Sequence, residues 1–296
     1  MLEVIWATGR DCRVDWEFSW IIELLRGIPL RIHAPDRLIP NALIVFNHNV
    51  NYLPYLQLYE TNQIPFTLIH LSDEYKTDNI SPYYFKMCKG VFRNCYRSDC
   101  TPPAINFPLG YKYDFWKNGT PITALQRSIE QRSLVWSFAG GMRPNRKDTV
   151  TLFQTLQPHR IVIEEGNSFN DVKTGLSTEE YRNLMLDSIF VLCPEGNVSV
   201  DCFRVYEALE CGCIPIVFSK NRFQWFEEGS YWKHIMSLEE EPPFVMALTM
   251  EENLAMVKKL LENKEQLEEQ RRKCWLLWQE YKEKFGKYLS SACLKA

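Results

Sequence analysis

Short apolar runs alternate with stretches of helical period along most of the chain. In the first half, Leu43-Ile44-Val45-Phe46 and Phe66-Thr67-Leu68-Ile69-His70-Leu71 read as buried strands, rich in β-branched and aromatic residues. Residues 91–96 and 105–108 complete four expected strands, after a helix over 15–25. The rest of this half is irregular, with many Tyr, Pro and Asn residues. From Ser133 the pattern is cleaner. Strands are expected over 134–139, 160–163, 189–193 and 213–218, with helices from about Asn145, over 178–186 and over 200–210. Short buried runs separated by helices argue for parallel sheets in an α/β fold. Residues 250–285 read as helix with a break near Asn263. Trp275, Trp278, Tyr281 and Phe285 fall on one face of it, a docking stripe.

Composition narrows the class. The chain has 296 residues, 46% hydrophobic and 24% charged, enough to bury a sizeable core and to exclude a disordered or fibrous protein. A net charge of −3 gives no global positive field, so neither nucleic acid nor acidic lipid is an expected partner. Ten cysteines carry no CxxC pair, so no zinc site is expected and the thiols read as reduced. No apolar run approaches the roughly 18–20 residues of a membrane span. The first residues lack the plan of a signal peptide. The expectation is a soluble, cytoplasmic protein whose oligomeric state the sequence leaves open.

Candidate chemistry sits in three segments. The first runs from Ser188 to Val217 as strand, polar loop, helix, glycine turn and strand. Its loop carries Pro194, Glu195, Gly196, Asn197 and Ser199 at the carboxyl end of a strand, where open α/β sheets bind ligands. A helix starting near Val200 would point free N–H groups at a phosphate. Arg204 has the planar fork that suits diphosphate oxygens, and a carboxylate at Glu207 can accept from ribose hydroxyls. Spacing alone equally allows an ordinary i,i+3 ion pair between the two.

The second segment ends a strand in Gly140-Gly141 and follows it with Arg143 and Arg146. Two arginines there can neutralise a leaving diphosphate, or simply face solvent beside a plain βα turn. The third segment runs the strand ending at Leu71 straight into Ser72-Asp73-Glu74. An acidic side chain at a strand end is a natural general base, and Asp73 is the choice; Asp73 capping a turn is the alternative. His48, His70 and Glu74 are candidates for binding an acceptor.

The segment from Leu192-Cys193-Pro194-Glu195-Gly196 through Phe203-Arg204-Val205-Tyr206-Glu207 to Gly212-Cys213-Ile214-Pro215 resembles the hallmark region of exostosin-like glycosyltransferases. Phe138-Ala139-Gly140 with its nearby arginines, and Tyr181 to Ser188, fit the same family, so the likeness covers about 134–218. His70-Leu71-Ser72-Asp73-Glu74 and Phe107-Pro108-Leu109-Gly110 are more similar to its xylosyltransferase-like (GT47-type) branch, which includes exostosin-like enzymes of large algal viruses.

The resemblance implies a GT-B fold, with two Rossmann-like domains facing across a cleft: 1–125 for the acceptor, 126–265 for the nucleotide sugar, and a helix over 266–296 packing back toward the first. It implies an inverting transfer, without metal or other cofactor, of a sugar from a UDP-sugar donor to a glycan acceptor. The expected donor is UDP-xylose, with a fucose in a growing oligosaccharide as one possible acceptor. Glu207 matches the family's ribose-binding acid, and Arg143, Arg146 and Arg204 match basic residues near the diphosphate. Two rivals stay open: a binding protein for nucleotide sugars or glycans without catalysis, and a GT-B transferase using GDP-fucose or UDP-glucuronic acid. The membrane anchor usual in cellular exostosins is not found in this sequence.

Overall fold

In the first half of the chain a computed structural model gives β1 (Leu2–Ala7), α1 (Phe18–Leu24), β2 (Leu30–His33), β3 (Ala42–Asn47), α2 (Leu53–Thr61), β4 (Phe66–Leu71), β5 (Cys88–Arg93) and β6 (Ile105–Asn106). The second half gives β7 (Leu134–Gly141), α3 (Pro144–Phe153), β8 (His159–Glu164), α4 (Thr178–Leu186), β9 (Ser188–Leu192), α5 (Phe203–Glu210), β10 (Ile214–Phe218), α6 (Tyr231–Ile235), β11 (Val245–Ala247), α7 (Met250–Leu261) and α8 (Lys264–Lys295). The structure describes residues 1–7, 13, 15–48, 50–97, 100, 104–116, 127–164, 175–196, 198–220 and 229–295.

The strands form two sheets, and every pairing in both is parallel. One runs β2-β1-β3-β4-β5-β6 and the other β11-β10-β9-β7-β8. The orders are equivalent: in each sheet the first strand lies between the second and third, and the rest follow outward. This is the doubly wound pattern, whose topological switch point lies between first and third strands. Two units divide the chain, Met1–Tyr113 with Ile235–Ser237 and Tyr281–Ala296, and Asp114–His234 with Leu238–Glu280.

Local sequence explains the elements. Every residue of β4 and of β9 is buried, as strands covered on both faces require. Helix α4 opens on a capping box: Ser177 Oγ accepts from Glu180 N–H, and the Glu180 carboxylate accepts from Ser177 N–H. Thr249 and Glu252 do the same for α7. Helix α8 serves the units in turn. Trp278 donates to Glu210 Oε1 at 2.6 Å and packs on Tyr206, whereas Phe285 packs on Phe107 at 5.4 Å. Trp275 is only half-buried, and Cys274 takes the covered position beside it.

The first half is more regular than its sequence suggests. Strands β1 and β2, helix α2 and, in the second half, β11 were not expected. Glu3 interrupts the apolar run of β1, and its partners β2 and β3 lie far along the chain. Strand β5 ends at Arg93 because Asn94 turns to accept from Ser72 N–H and Cys95 adopts a positive φ of 60°. Helix α5 starts at Phe203 rather than Val200. Ser199 Oγ accepts from Asp201 N–H, and the Asp201 carboxylate is held by the Tyr206 and Tyr231 hydroxyls, so the chain stays extended through Cys202. No helix among the described residues is long and apolar enough to cross a membrane.

Candidate functional site

The candidate residues lie at or after the carboxyl ends of strands: in the second unit the two that flank its switch point, in the first β3 and the next strand outward, β4. The flanking strands of the second unit are β7 and β9. Strand β7 ends in Gly140, whose φ of +147° leaves no room for a side chain: a Cβ there would lie 2.5 Å from Arg204 Nη2. Arg204 lies at the second position of α5. Its Nε and Nη2 donate to the Ala139 carbonyl at 3.1 and 2.9 Å, and its guanidinium lies 4.8 Å from the centre of the Phe138 ring.

Arg146, in the first turn of α3, is buried. Nη1 donates to the Gly141 carbonyl at 3.0 Å, and Nε and Nη2 to the Glu195 carbonyl at 3.1 and 3.0 Å. It thereby ties the loop after β7 to the loop after β9. Burial, then the charges of Arg204 and Arg143, pull Arg146 down to about 10. It stays charged at neutral pH. Arg143 is exposed at the start of α3. No carboxylate among the described residues lies within ion-pair distance of Arg146 or Arg204. Carbonyl oxygens hold the guanidinium groups, and the more distant charges of Glu164 and Glu207 offset part of theirs.

Pro194 and Glu195 are buried in the loop after β9, and Gly196 N–H closes a turn on the Ser199 carbonyl at 2.7 Å. Asn197 lies outside the described residues. Glu207 is not a surface partner of Arg204. It is buried and accepts from the Tyr181 hydroxyl at 2.8 Å. Burial, then the Glu207 charge, keep that phenol protonated. Sequence reasoning quoted Tyr181 as part of a motif but gave it no role; nothing in the spacing of α4 and α5 shows that they meet.

In the first unit the flanking strands are β1 and β3. His48 follows β3 directly, and its side chain is 19% exposed. His70, near the end of β4, is buried and stacks on Phe46 at 4.2 Å. Its Nε2 donates to Asp78 Oδ2 at 2.9 Å, and its Nδ1 accepts from the Tyr83 hydroxyl. Burial is the main force pushing His70 toward its neutral form.

Asp73 does not face solvent. Its side chain is 0% exposed. Oδ1 accepts from Thr77 N–H at 2.8 Å and Asp78 N–H at 3.3 Å, and Oδ2 accepts from Arg93 Nη2 at 3.2 Å. Arg97 lies 3.7 Å from Oδ2. This is the turn-capping alternative that the sequence allowed, with Arg93 as a further partner. Glu74 is half-buried in the same turn. Asp78, which sequence reasoning did not single out, accepts from His48 Nδ1 at 2.8 Å. His48, Asp73 and Asp78 bring one nitrogen and two carboxylates within 4.8 Å of one another. Arg93 and Arg97 lie on the same Asp73 carboxylate, at 3.2 and 3.7 Å from its Oδ2.

Comparison with known proteins gives one family. Residues 119–294 match the model of the RXYLT1 C-terminal domain. No curated protein matches the chain. Among solved structures, an α1,3-fucosyltransferase is 13% identical with a TM-score of 0.49, covering 91% of this chain and 81% of that one. Anabaena HepE in complex with UDP and glucose is 10% identical with a TM-score of 0.48, covering 100% of both. T4 phage BGT in complex with its UDP-glucose substrate is 11% identical with a TM-score of 0.47, covering 99% of both.

Proposed function

The chain belongs to the RXYLT1 C-terminal domain family, and on that premise we propose that it is a UDP-sugar-dependent glycosyltransferase, with xylose as the sugar moved. The observation that carries the reading is the pair Arg146 and Arg204. Two guanidinium groups are fixed at a switch point on carbonyl oxygens, with no ion-pair partner among the described residues, and such charge suits an anionic ligand. A diphosphate fits that charge, and it is the group that gains charge as a sugar is transferred.

In this reading the donor lies at the second unit. Arg143, Arg146 and Arg204 stabilise the diphosphate as its bond to the sugar breaks. The orientation is set before the reaction, because Arg146 and Arg204 are already anchored. Glu207 accepts from the ribose hydroxyls while Tyr181 holds its carboxylate in place. Gly141, where a side chain would meet nothing closer than 4.0 Å, leaves room for phosphate near the backbone, whereas Arg204 fills the space at Gly140. The transfer inverts the anomeric carbon: an acceptor hydroxyl attacks opposite the departing UDP. No resident cofactor is assigned, since the arginines supply the charge that the leaving group needs.

The test is thermal stability with UDP, GDP, UDP-xylose, UDP-glucose and UDP-glucuronic acid, since a ligand that binds the native state raises Tm. A shift with UDP, largest with UDP-xylose, is the expected result. A shift with GDP alone moves the chain to another donor class. Binding of UDP without consumption of any UDP-sugar makes it a binding protein.

A further inference from the structure

The first unit holds a cavity of about 230 Å³ lined by Phe46, Tyr52, Leu56, Thr77, Asp78 and Pro82. It lies beside the carboxyl end of β3; His48 is not part of its wall, but Asp78, which is, accepts from His48 Nδ1 at 2.8 Å. We infer that this cavity receives the acceptor sugar and that His48 Nε2, rather than Asp73, takes the proton from its attacking hydroxyl. The inference rests on the glycosyltransferase reading above.

Each other basic group of the cluster is already committed. Asp73 is sealed, with Thr77 N–H, Asp78 N–H and Arg93 on its two oxygens. His70 is buried and uses both ring nitrogens, one on Tyr83 and one on Asp78. Asp78 uses one oxygen on each histidine. His48 differs. Its Nδ1 faces the Asp78 carboxylate at 2.8 Å, with Asp73 Oδ1 at 3.6 Å. A carboxylate only accepts, so the Nδ1 position carries the hydrogen, and in the neutral ring Nε2 carries the lone pair. No described residue gives Nε2 a hydrogen bond, and the side chain reaches solvent.

The rest of the network fixes that arrangement. Arg93 Nη1 donates to the Tyr83 hydroxyl at 3.1 Å, Tyr83 donates to His70 Nδ1, and His70 Nε2 donates to Asp78 at 2.9 Å. A carboxylate held from one side by a buried histidine can orient a second histidine on the other, the logic of a base and its orienting acid. The cavity wall suits a sugar. Phe46, Tyr52 and Pro82 offer apolar faces to ring C–H groups, and Thr77 and Asp78 offer polar groups.

In the reaction, the acceptor oxygen bonds to the anomeric carbon as its proton passes to His48 Nε2. The bond from that carbon to the diphosphate oxygen breaks, and its electron pair leaves with UDP. Solvent then takes the proton from the imidazolium. Asp78 is a positioning residue: it holds the ring and its tautomer.

The test compares wild type with His48→Gln, His48→Gly and Asp78→Asn. UDP release from UDP-xylose is followed with para-nitrophenyl glycosides, the fucoside among them, as probe acceptors. The UDP-induced rise in Tm serves as the control for folding and donor binding. His48→Gln keeps that rise and the KM for UDP-xylose but loses about a hundredfold or more in kcat. Free imidazole restores part of the turnover of His48→Gly, which a merely structural role would not allow. Asp78→Asn also lowers kcat with KM unchanged. A His48→Gln enzyme within about threefold of wild type removes His48 from the reaction while leaving the transferase reading intact. A wild type that binds UDP but releases none from any UDP-sugar overturns the transferase reading, and this inference with it.

Discussion

The two units share one strand order and place polar residues at the carboxyl ends of their strands, yet they solve the electrostatics of that edge in opposite ways. In the second unit, buried or half-buried arginines are anchored by carbonyl oxygens of Ala139, Gly141 and Glu195. A carbonyl satisfies the N–H groups but leaves the guanidinium charge without an ion-pair partner among the described residues. In the first unit, the buried arginine meets a carboxylate: Arg93 with Asp73. That pair closes on itself, and the group left reaching outward is the imidazole of His48. The same scaffold gives an edge for holding charge and an edge for moving a proton. Residues at strand ends, in first helical turns and in the loops between them set the difference.

The largest effect expected is on the open edge. Arg204→Ala lowers turnover by about 10²–10³, the range typical of losing a group that stabilises transition-state charge. It also shrinks the Tm rise given by UDP. Initial rates at saturating UDP-xylose measure it, and wild-type turnover would mean that the guanidinium charge of this edge has no part in the reaction. The closed edge responds through stability instead. Asp73→Asn leaves Arg93 buried without its counter-ion, a change that costs about 3 kcal/mol. Urea unfolding reads that loss. An Asp73→Asn protein as stable as wild type would show that the pair does not close the first unit and would return Asp73 to the candidates for the base.

The second unit was the more legible in sequence. Its strands are short β-branched runs bounded by Gly and Pro, its helix α4 carries a capping box, and Gly140 and Arg204 lie where a strand end and a helix start are both readable. The family region also lies there. The first unit was less legible, because β1 owes its state to distant partners and because its polar network joins residues from four elements. Asp78 follows a turn and reads as a surface acid, Tyr83 as one aromatic among many. Only the packing of β4 and β5 shows that Asp78 reaches His70 and that Tyr83 reaches both His70 and Arg93. Asp73 stood out because acid at a strand end is a legible pattern, but pattern does not report that Arg93 and two N–H groups already occupy it.

Glu17 sharpens the comparison with the smallest effect. This carboxylate at the start of α1 is buried, and its Oε1 accepts from the Ser72 hydroxyl and from Asn94 Nδ2 at 3.3 Å. Its Oε2 has no partner among the described residues. Burial pushes its carboxyl up from the ordinary 4.5; the two hydrogen bonds oppose this, and the charge of Asp15 adds to it. A raised acid binds more protons folded than unfolded, so its contribution is fully present below pH 4.5 and is lost as pH rises through the folded value. Arg146, held at about 10, stays charged across that range, so the open edge adds no such slope. Glu17→Gln keeps a side-chain oxygen for Ser72 and removes the charge. The variant matches wild type at low pH and gains on it toward neutrality, by on the order of 1 kcal/mol. Urea midpoints of both proteins across that pH range give the comparison. Parallel curves would mean that Glu17 is stabilised as an anion by groups around it, and the first unit would then be closed at this acid as it is at Asp73.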